Sequence, residues 1–369
     1  MRIDDKYLIN LHTKLVNIPS VFPNEKEIML FLEDELKCLG FTPHRLTVTQ
    51  DRFNLLVRIG NGSPILCLNA HSDTVPPSGK SVPKAKIKNG RMYGLGSADD
   101  KASIAAMVAA IRAISEADVK LNGTLDLFIS VDEEGDAQGV RSAIENGYKC
   151  DMVITGEPTN LQMVPTHCGL LILEITTYGK STHGSIPMQG VNAIDRMFEL
   201  ISGLRKVATE YPSHPLIGPG TMNLGIIKGG DRPNRVPDRC EAAVDIRLVP
   251  PMTVKELLNR IRQYFDDWKG KADYNIAKQG EPLNTPHDSN LVCALASAGE
   301  KILGHAPEIV GWRGWTDAES FQTGIGVDAV VFGPGKLEQA HSANEYVDLE
   351  QVCLAARIYA EVTTRLLAK

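Results

Sequence analysis

The chain has 369 residues, 43% of them hydrophobic and 23% charged, with a net charge of −6, which suits a water-soluble protein large enough for two domains. That acidic balance, with no block of basic residues and interleaved aromatics, excludes nucleic acid as an expected partner. No apolar stretch approaches the length of a membrane span, the N-terminal "MRIDDKYLINLHTKLVNIP" has acids where a signal peptide needs bases, and seven cysteines scattered through apolar runs read as reduced thiols. A cytoplasmic protein with no membrane partner is expected.

The first part of the chain alternates helical and strand patterns. A helix is predicted from Glu25 to Leu39 and a strand at "ILCLN" from Ile65 to Asn69. An Ala-rich helix from Lys101 to Ser115, a strand from Leu125 to Val131 and another from Met152 to Thr155 come next. Short continuous apolar strands separated by helices predict an α/β fold with a mostly parallel sheet covered on both faces.

Near residue 170 the pattern changes. "LLILEITTYG" reads as a strand, Asn192 to Ala208 as a helix, and "TMNLGIIKG" and "CEAAVDIRL" as two more strands. "TVKELLNRIRQYFDDW" opens with a capping box, Thr253 and Glu256, and "DYNIA" closes the order β-α-β-β-α-β of a ferredoxin-like α+β domain. After Pro286 the α/β pattern returns, with a helix from Ser289 to Leu303, a strand from Asp328 to Gly333 and a last helix from Leu349 to Leu367. The expected organisation is a catalytic domain of residues 1–168 and 285–369, interrupted by an inserted domain of residues 169–284.

In parallel sheets, reactive groups collect at the carboxyl ends of strands. His71 and Asp73 come just after the first core strand; at i and i+2 they share a side, so the carboxylate can orient the imidazole toward a metal. "YGLGSADDKAS" then places Asp99 and Asp100 before a helix, where Asp100 reads as an ordinary helix N-terminal acid. That block lacks the third glycine of a nucleotide loop.

The next strand ends in Asp132, Glu133 and Glu134. Taken alone, three adjacent acids read more readily as a solvated turn than as a metal site. Adjacent residues nevertheless point apart, so one can bind a metal while its neighbour faces the reacting water. Glu157 comes after the next strand and His341 after the last. His71, His341, Asp99, Glu134 and Glu157 form an N/O set suited to two divalent ions, zinc, cobalt or manganese, with the aspartate shared.

The blocks "AHSDTVPP", "YGLGSADDKAS", "VDEEGDAQG", "TGEPTN", "GKSTHGSIPMQGVNAI", "NRVPDRCEAAVDIR" and "AHSANEYV" resemble, in order, the signatures of the dinuclear zinc deacylases and exopeptidases. That family includes acetylornithine deacetylase, succinyl-diaminopimelate desuccinylase, aminoacylase and glutamate carboxypeptidase. The resemblance implies that Asp99 bridges two metals, His71 and Glu157 hold one, and Glu134 and His341 hold the other. It further implies that Glu133 is the general base, that Asp73 supports His71, and that the inserted domain makes a homodimer. His183 as an oxyanion donor acting in the partner's site, with Arg247 and Asn234 as substrate-binding residues, is lifted mainly by this resemblance.

The chain departs from the family pattern at Asp100 and Ala102, at His167 and Cys168 before the insertion, and at Trp315 in "GWRGWTDAES". The expected activity is metal-dependent hydrolysis of the amide of an N-acylated amino acid. A dipeptidase or carboxypeptidase using the same site is the alternative, and a non-catalytic binding protein on this fold a more remote one. The expected partner is a small N-acyl amino acid or short peptide.

Overall fold

The apolar runs fold as parallel strands lying side by side in the order Thr124–Ser130, Ile65–His71, Met152–Thr155, Asp328–Val331. Thr124–Ser130 is buried at every position, which is why its sequence shows no alternation. Beside it, Phe53–Gly60 and then His44–Thr47 add antiparallel strands, so the main sheet is mixed and largely parallel at its centre. The computed structural model describes residues 1–77 and 84–368.

The described chain forms two units. One comprises Met1–Pro165, Thr285–Val310 and Thr316–Lys369; the other comprises Thr166–Asn284 and Gly311–Trp315. In the first unit, the helix Lys101–Glu116 buries Ala102, Ala105, Ala106, Ala109, Ala110 and Ala113. These small side chains allow close packing against the C-terminal helix Leu349–Leu367. An N-terminal helix, Asp5–Asn17, is capped by Asp4, whose carboxylate accepts from the Tyr7 N–H. A small sheet pairs Arg91–Tyr93 with Lys86–Lys88 on one side and Tyr346–Asp348 on the other. Its strands flank the two loops that carry Asp99 and His341.

The second unit has the predicted ferredoxin-like order. Its antiparallel sheet runs Thr221–Gly229, Arg239–Leu248, Gly169–Tyr178, Lys271–Gly280. The helix Val254–Asp267 begins with both hydrogen bonds of the Thr253/Glu256 capping box and buries Leu257 and Ile261 against the sheet's own core, Leu171, Leu173 and Ile175 among them. Among the described residues no helix is long and apolar enough to cross a membrane.

One buried group makes the first unit acid-sensitive. His12 donates from Nε2 to the carbonyl of Ser97 at 2.9 Å, while its Nδ1 is buried with no hydrogen-bond partner among the described residues. Burial, reinforced by the charge of Lys101, lowers its pKa from 6.5 to about 4. The unfolded chain therefore binds a proton that the folded chain refuses. This contribution to stability is complete above pH 6.5 and is lost as pH falls toward 4, amounting to about 3 kcal/mol. His12→Gln, which retains a donor for Ser97, should remove one proton from the pH slope of urea-unfolding stability in that window. An unchanged slope would show that His12 is not held neutral.

Candidate metal centre

His71 ends its strand almost fully buried, with Nδ1 donating to the main-chain oxygen of Asp73 at 3.1 Å and Nε2 3.0 Å from Asp99 Oδ1. Asp73 meets the imidazole through its main-chain oxygen and, more distantly, through its carboxylate. The Asp73 carboxylate lies 3.6 Å from Nδ1 and also accepts the N–H groups of Glu133 at 3.3 Å and Glu134 at 2.9 Å. Asp73 thus orients the imidazole through its backbone and holds the neighbouring acidic turn through its side chain.

The three consecutive acids have separate environments. Asp132 adopts a left-handed conformation, φ 75°, pairs with Arg52 at 2.7 Å, and accepts the Gln138 N–H at 2.8 Å. Arg52 also pairs with the buried Glu25, so Asp132 anchors the turn. Glu134 Oε1 lies 2.8 Å from His341 Nε2, which is also 3.3 Å from Asp99 Oδ2. The two oxygens of Asp99 consequently face two different imidazoles. Glu157 lies 3.9 Å from His71 Nε2, after a glycine that the packing requires: a Cβ on Gly156 would sit 2.5 Å from that of Ser103.

Two clusters result, His71 with Glu133 and Glu157, and Asp99 with Glu134 and His341, and within each the candidate ligand atoms lie within 4.8 Å of one another. Burial, and after it the neighbouring carboxylates, raises Glu157 well above the ordinary range; burial and the charges of Glu134, Asp317 and Asp73 do the same to Glu133. Burial opposes charging of His71, but the carboxylates of Asp73, Asp99 and Glu157 outweigh it and raise its pKa well above 6.5. Hydrogen bonds to Asp99 and Glu134 raise His341 to about 10. Asp99 moves below the ordinary range, because the two imidazoles overcome its burial.

Among the described residues, the ion-pair partners of Asp99, Glu134 and Glu157 are these imidazoles alone, and Glu133 has none. Buried carboxylates in excess of their cations are costly unless further positive charge compensates them. Hard oxygen donors mixed with imidazole nitrogens fit two divalent cations.

The remaining predicted residues belong to the second unit. Ser185 donates its N–H to His183 Nδ1 at 3.2 Å, with its hydroxyl at 2.7 Å from the same atom, so Nδ1 is the accepting nitrogen and Nε2 the donor side of the exposed ring. The Gly184 N–H donates to the carbonyl of Asn234 at 2.7 Å, and a Cβ on Gly184 would lie 2.8 Å from the Asn234 backbone. The loops of His183 and Asn234 are therefore in contact. Arg247, on the strand Arg239–Leu248, is held by both oxygens of Asp245 at 2.8 and 3.0 Å; among the described residues it bonds neither His183 nor Asn234.

Three buried ionic residues around the site were not anticipated. Glu345 accepts the N–H groups of Gly96, Ala98 and Asp99. Lys101 donates to the carbonyl of Ile18 at 2.8 Å, and Asp317 accepts the Ser130 hydroxyl at 2.9 Å. The available signals were slight: Glu345 lies four residues beyond His341, and Asp317 resembles any acid in the first turn of a helix.

The family model described as Peptidase family M20/M25/M40 matches residues 67–365. An acetylornithine deacetylase of Proteus mirabilis (strain HI4320) is 32% identical over 95% of this chain and 94% of its own. One from Pectobacterium carotovorum subsp. carotovorum (strain PC1) is 35% identical over 85% of this chain and 83% of its own. A solved tripeptidase from Staphylococcus aureus superposes with a TM-score of 0.84 at 24% identity, covering 99% of both chains, a likeness of fold. Matched along most of its length by both the family model and these relatives, the chain belongs to peptidase family M20/M25/M40 and is a metallohydrolase.

Proposed function

We propose that the chain hydrolyses the amide bond of a small N-acylated amino acid with two divalent cations, zinc or else cobalt or manganese. The supporting observation is the division of Asp99 between two clusters, one oxygen facing His71 and the other His341. In this reading His71 and Glu157 hold one cation, Glu134 and His341 hold the other, and Asp99 spans both. Such a cation pair supplies carbonyl polarisation and a lowered water pKa. Glu133, beside them and without an ion pair among the described residues, takes a proton from the attacking water. As the carbon–oxygen bond forms and the carbon–nitrogen bond breaks, Glu133 delivers that proton to the leaving amine. Asp73 holds the turn that aims Glu133.

His183 donates from Nε2 to the developing oxyanion. Among the described residues Arg247 pairs two of its five N–H groups with Asp245, and with Asn234 it binds substrate oxygens through the others. The second unit dimerises two copies, a role supported by the exposure of Ile226 (53%) and Ile227 (41%) on its edge strand and of Phe198 (60%) on the helix Ala193–Thr209. Seven free thiols, five of them buried, support a cytoplasmic location.

The acyl-amino-acid assignment is supported by the names of the acetylornithine deacetylases to which the chain is similar. It is tested by turnover of the metal-loaded protein on N-acetyl and N-succinyl amino acids beside dipeptides and tripeptides. An N-acyl amino acid should exceed every peptide in kcat/KM by about tenfold or more. A peptide preference of that size would replace the deacylase reading with a peptidase one.

A further inference from the structure

Asp99 is the most constrained demand of the proposed site, because its carboxylate serves both clusters. Its segment is poorly suited to hold itself in place. Gly94 and Gly96 have φ values of 148° and 75°, conformations that L side chains rarely adopt, so the segment turns on residues that bring no side chain to stiffen it. Something outside the segment must fix its course.

Glu345 is placed to do so. Its Oε1 accepts the N–H groups of Ala98 at 2.8 Å and Asp99 at 3.1 Å, and its Oε2 accepts that of Gly96 at 2.9 Å. Its own carbonyl accepts from the Gly94 N–H at 3.2 Å. Glu345 is only 4% exposed, so these donors have little access to water in its place. Glu345 immediately precedes the strand Tyr346–Asp348, which pairs antiparallel with Arg91–Tyr93, the strand leading into the Asp99 segment. His341 lies four residues before Glu345. One side chain thus ties the backbone carrying Asp99 to the segment carrying His341. The Ser97 carbonyl is held separately by His12, and the helix after Asp99 is tethered by Lys101 to Ile18.

We infer that Glu345 is a positioning residue that preforms the metal centre, fixing Asp99 against His341 before any cation binds. This inference rests on the two-cation reading of the site. Glu345→Gln keeps the size of the side chain but turns one acceptor oxygen into an NH2 group, so at least one of the three N–H groups loses its partner.

Two measurements test it. In the metal-free wild type, amide hydrogen exchange at Gly96, Ala98 and Asp99 should already be slow, and in metal-free Glu345→Gln it should be about tenfold faster or more at these three amides, with the helix Asn290–Leu303 unchanged. Zinc titrated against a chromophoric chelator should bind Glu345→Gln about 10- to 100-fold more weakly than wild type, as for lost partners of ligand residues. A residue that merely stabilised the fold would lower the melting temperature and leave zinc affinity unaltered. Wild-type affinity in folded Glu345→Gln would overturn the inference, and so would unprotected amides at Gly96, Ala98 and Asp99 in the metal-free wild type. Should Glu345→Gln fail to fold, the wild-type exchange result and the shorter Glu345→Asp, expected to lose zinc affinity, decide the matter. A wild type that bound no zinc would overturn the two-cation reading instead, leaving the exchange result to stand or fall alone.

Discussion

Glu133→Gln is expected to keep both cations and to lose kcat by about 10²- to 10⁴-fold, the contribution of a positioned general base. The substitution preserves the size of the side chain and the backbone N–H that Asp73 accepts, so the acidic turn keeps its course. What disappears is the oxygen that takes the proton. Glu134→Ala provides the contrast: it removes the 2.8 Å partner of His341, and should therefore bind one cation weakly. Metal analysis and turnover on the same preparations separate the two residues. Metal loss in Glu133→Gln beside normal content in Glu134→Ala would reverse their roles. Because Glu133 also stands within 4.8 Å of donor atoms of His71 and Glu157, proximity alone does not distinguish base from ligand, and this pair of variants does.

Co-refolding two inactive variants should restore activity. His183 belongs to the second unit and the proposed cation ligands to the first; on the proposal that His183 of one copy acts at the cation site of its dimer partner, the two variants complement each other. His183→Ala and Glu133→Ala are each expected to be nearly inactive alone. In a mixed dimer, one site combines Glu133 from one chain with His183 from its partner and is complete. Random equal mixing makes half the dimers mixed, each with one working site, so about a quarter of wild-type activity should return. Verified mixed dimers as inactive as either parent would show that His183 does not act across subunits.

The strands that deliver the site were legible because buried parallel strands leave continuous apolar runs, and the residues just beyond each run lie at one edge of the sheet. The same logic gathers His71, Glu133, Glu134, Glu157 and His341 at that edge from the sequence alone. The capping box at Thr253 was legible for the same kind of reason, since both partners lie within one turn. The strands Lys86–Lys88, Arg91–Tyr93 and Tyr346–Asp348 were not legible, being too short to show a period of two. Among the three acids of "VDEEG", composition cannot distinguish Asp132 from its neighbours. Its partner Arg52 lies far away in the sequence, and only the folded turn directs Asp132 to that arginine and the two glutamates to the imidazoles.

Glu345 was missed for a deeper reason. Its partners are backbone N–H groups nearly 250 residues earlier, and a backbone donor leaves no mark in the side-chain sequence. Asp73 illustrates a middle case. Its proximity to His71 is a matter of spacing, but its grip on the Glu133–Glu134 turn depends on two strands lying side by side, Ile65–His71 and Thr124–Ser130. Arg247 bound by Asp245 was readable in principle, as residues two apart on a strand share a face.

Whether two divalent cations held by His71, Asp99, Glu134, Glu157 and His341 drive amide hydrolysis is decided by removing and restoring the metal. Protein dialysed against chelator should lose turnover of its N-acyl amino acid substrate, and zinc or cobalt should restore it with a break at two equivalents per chain. Full turnover by protein shown to contain no metal would contradict the two-cation reading.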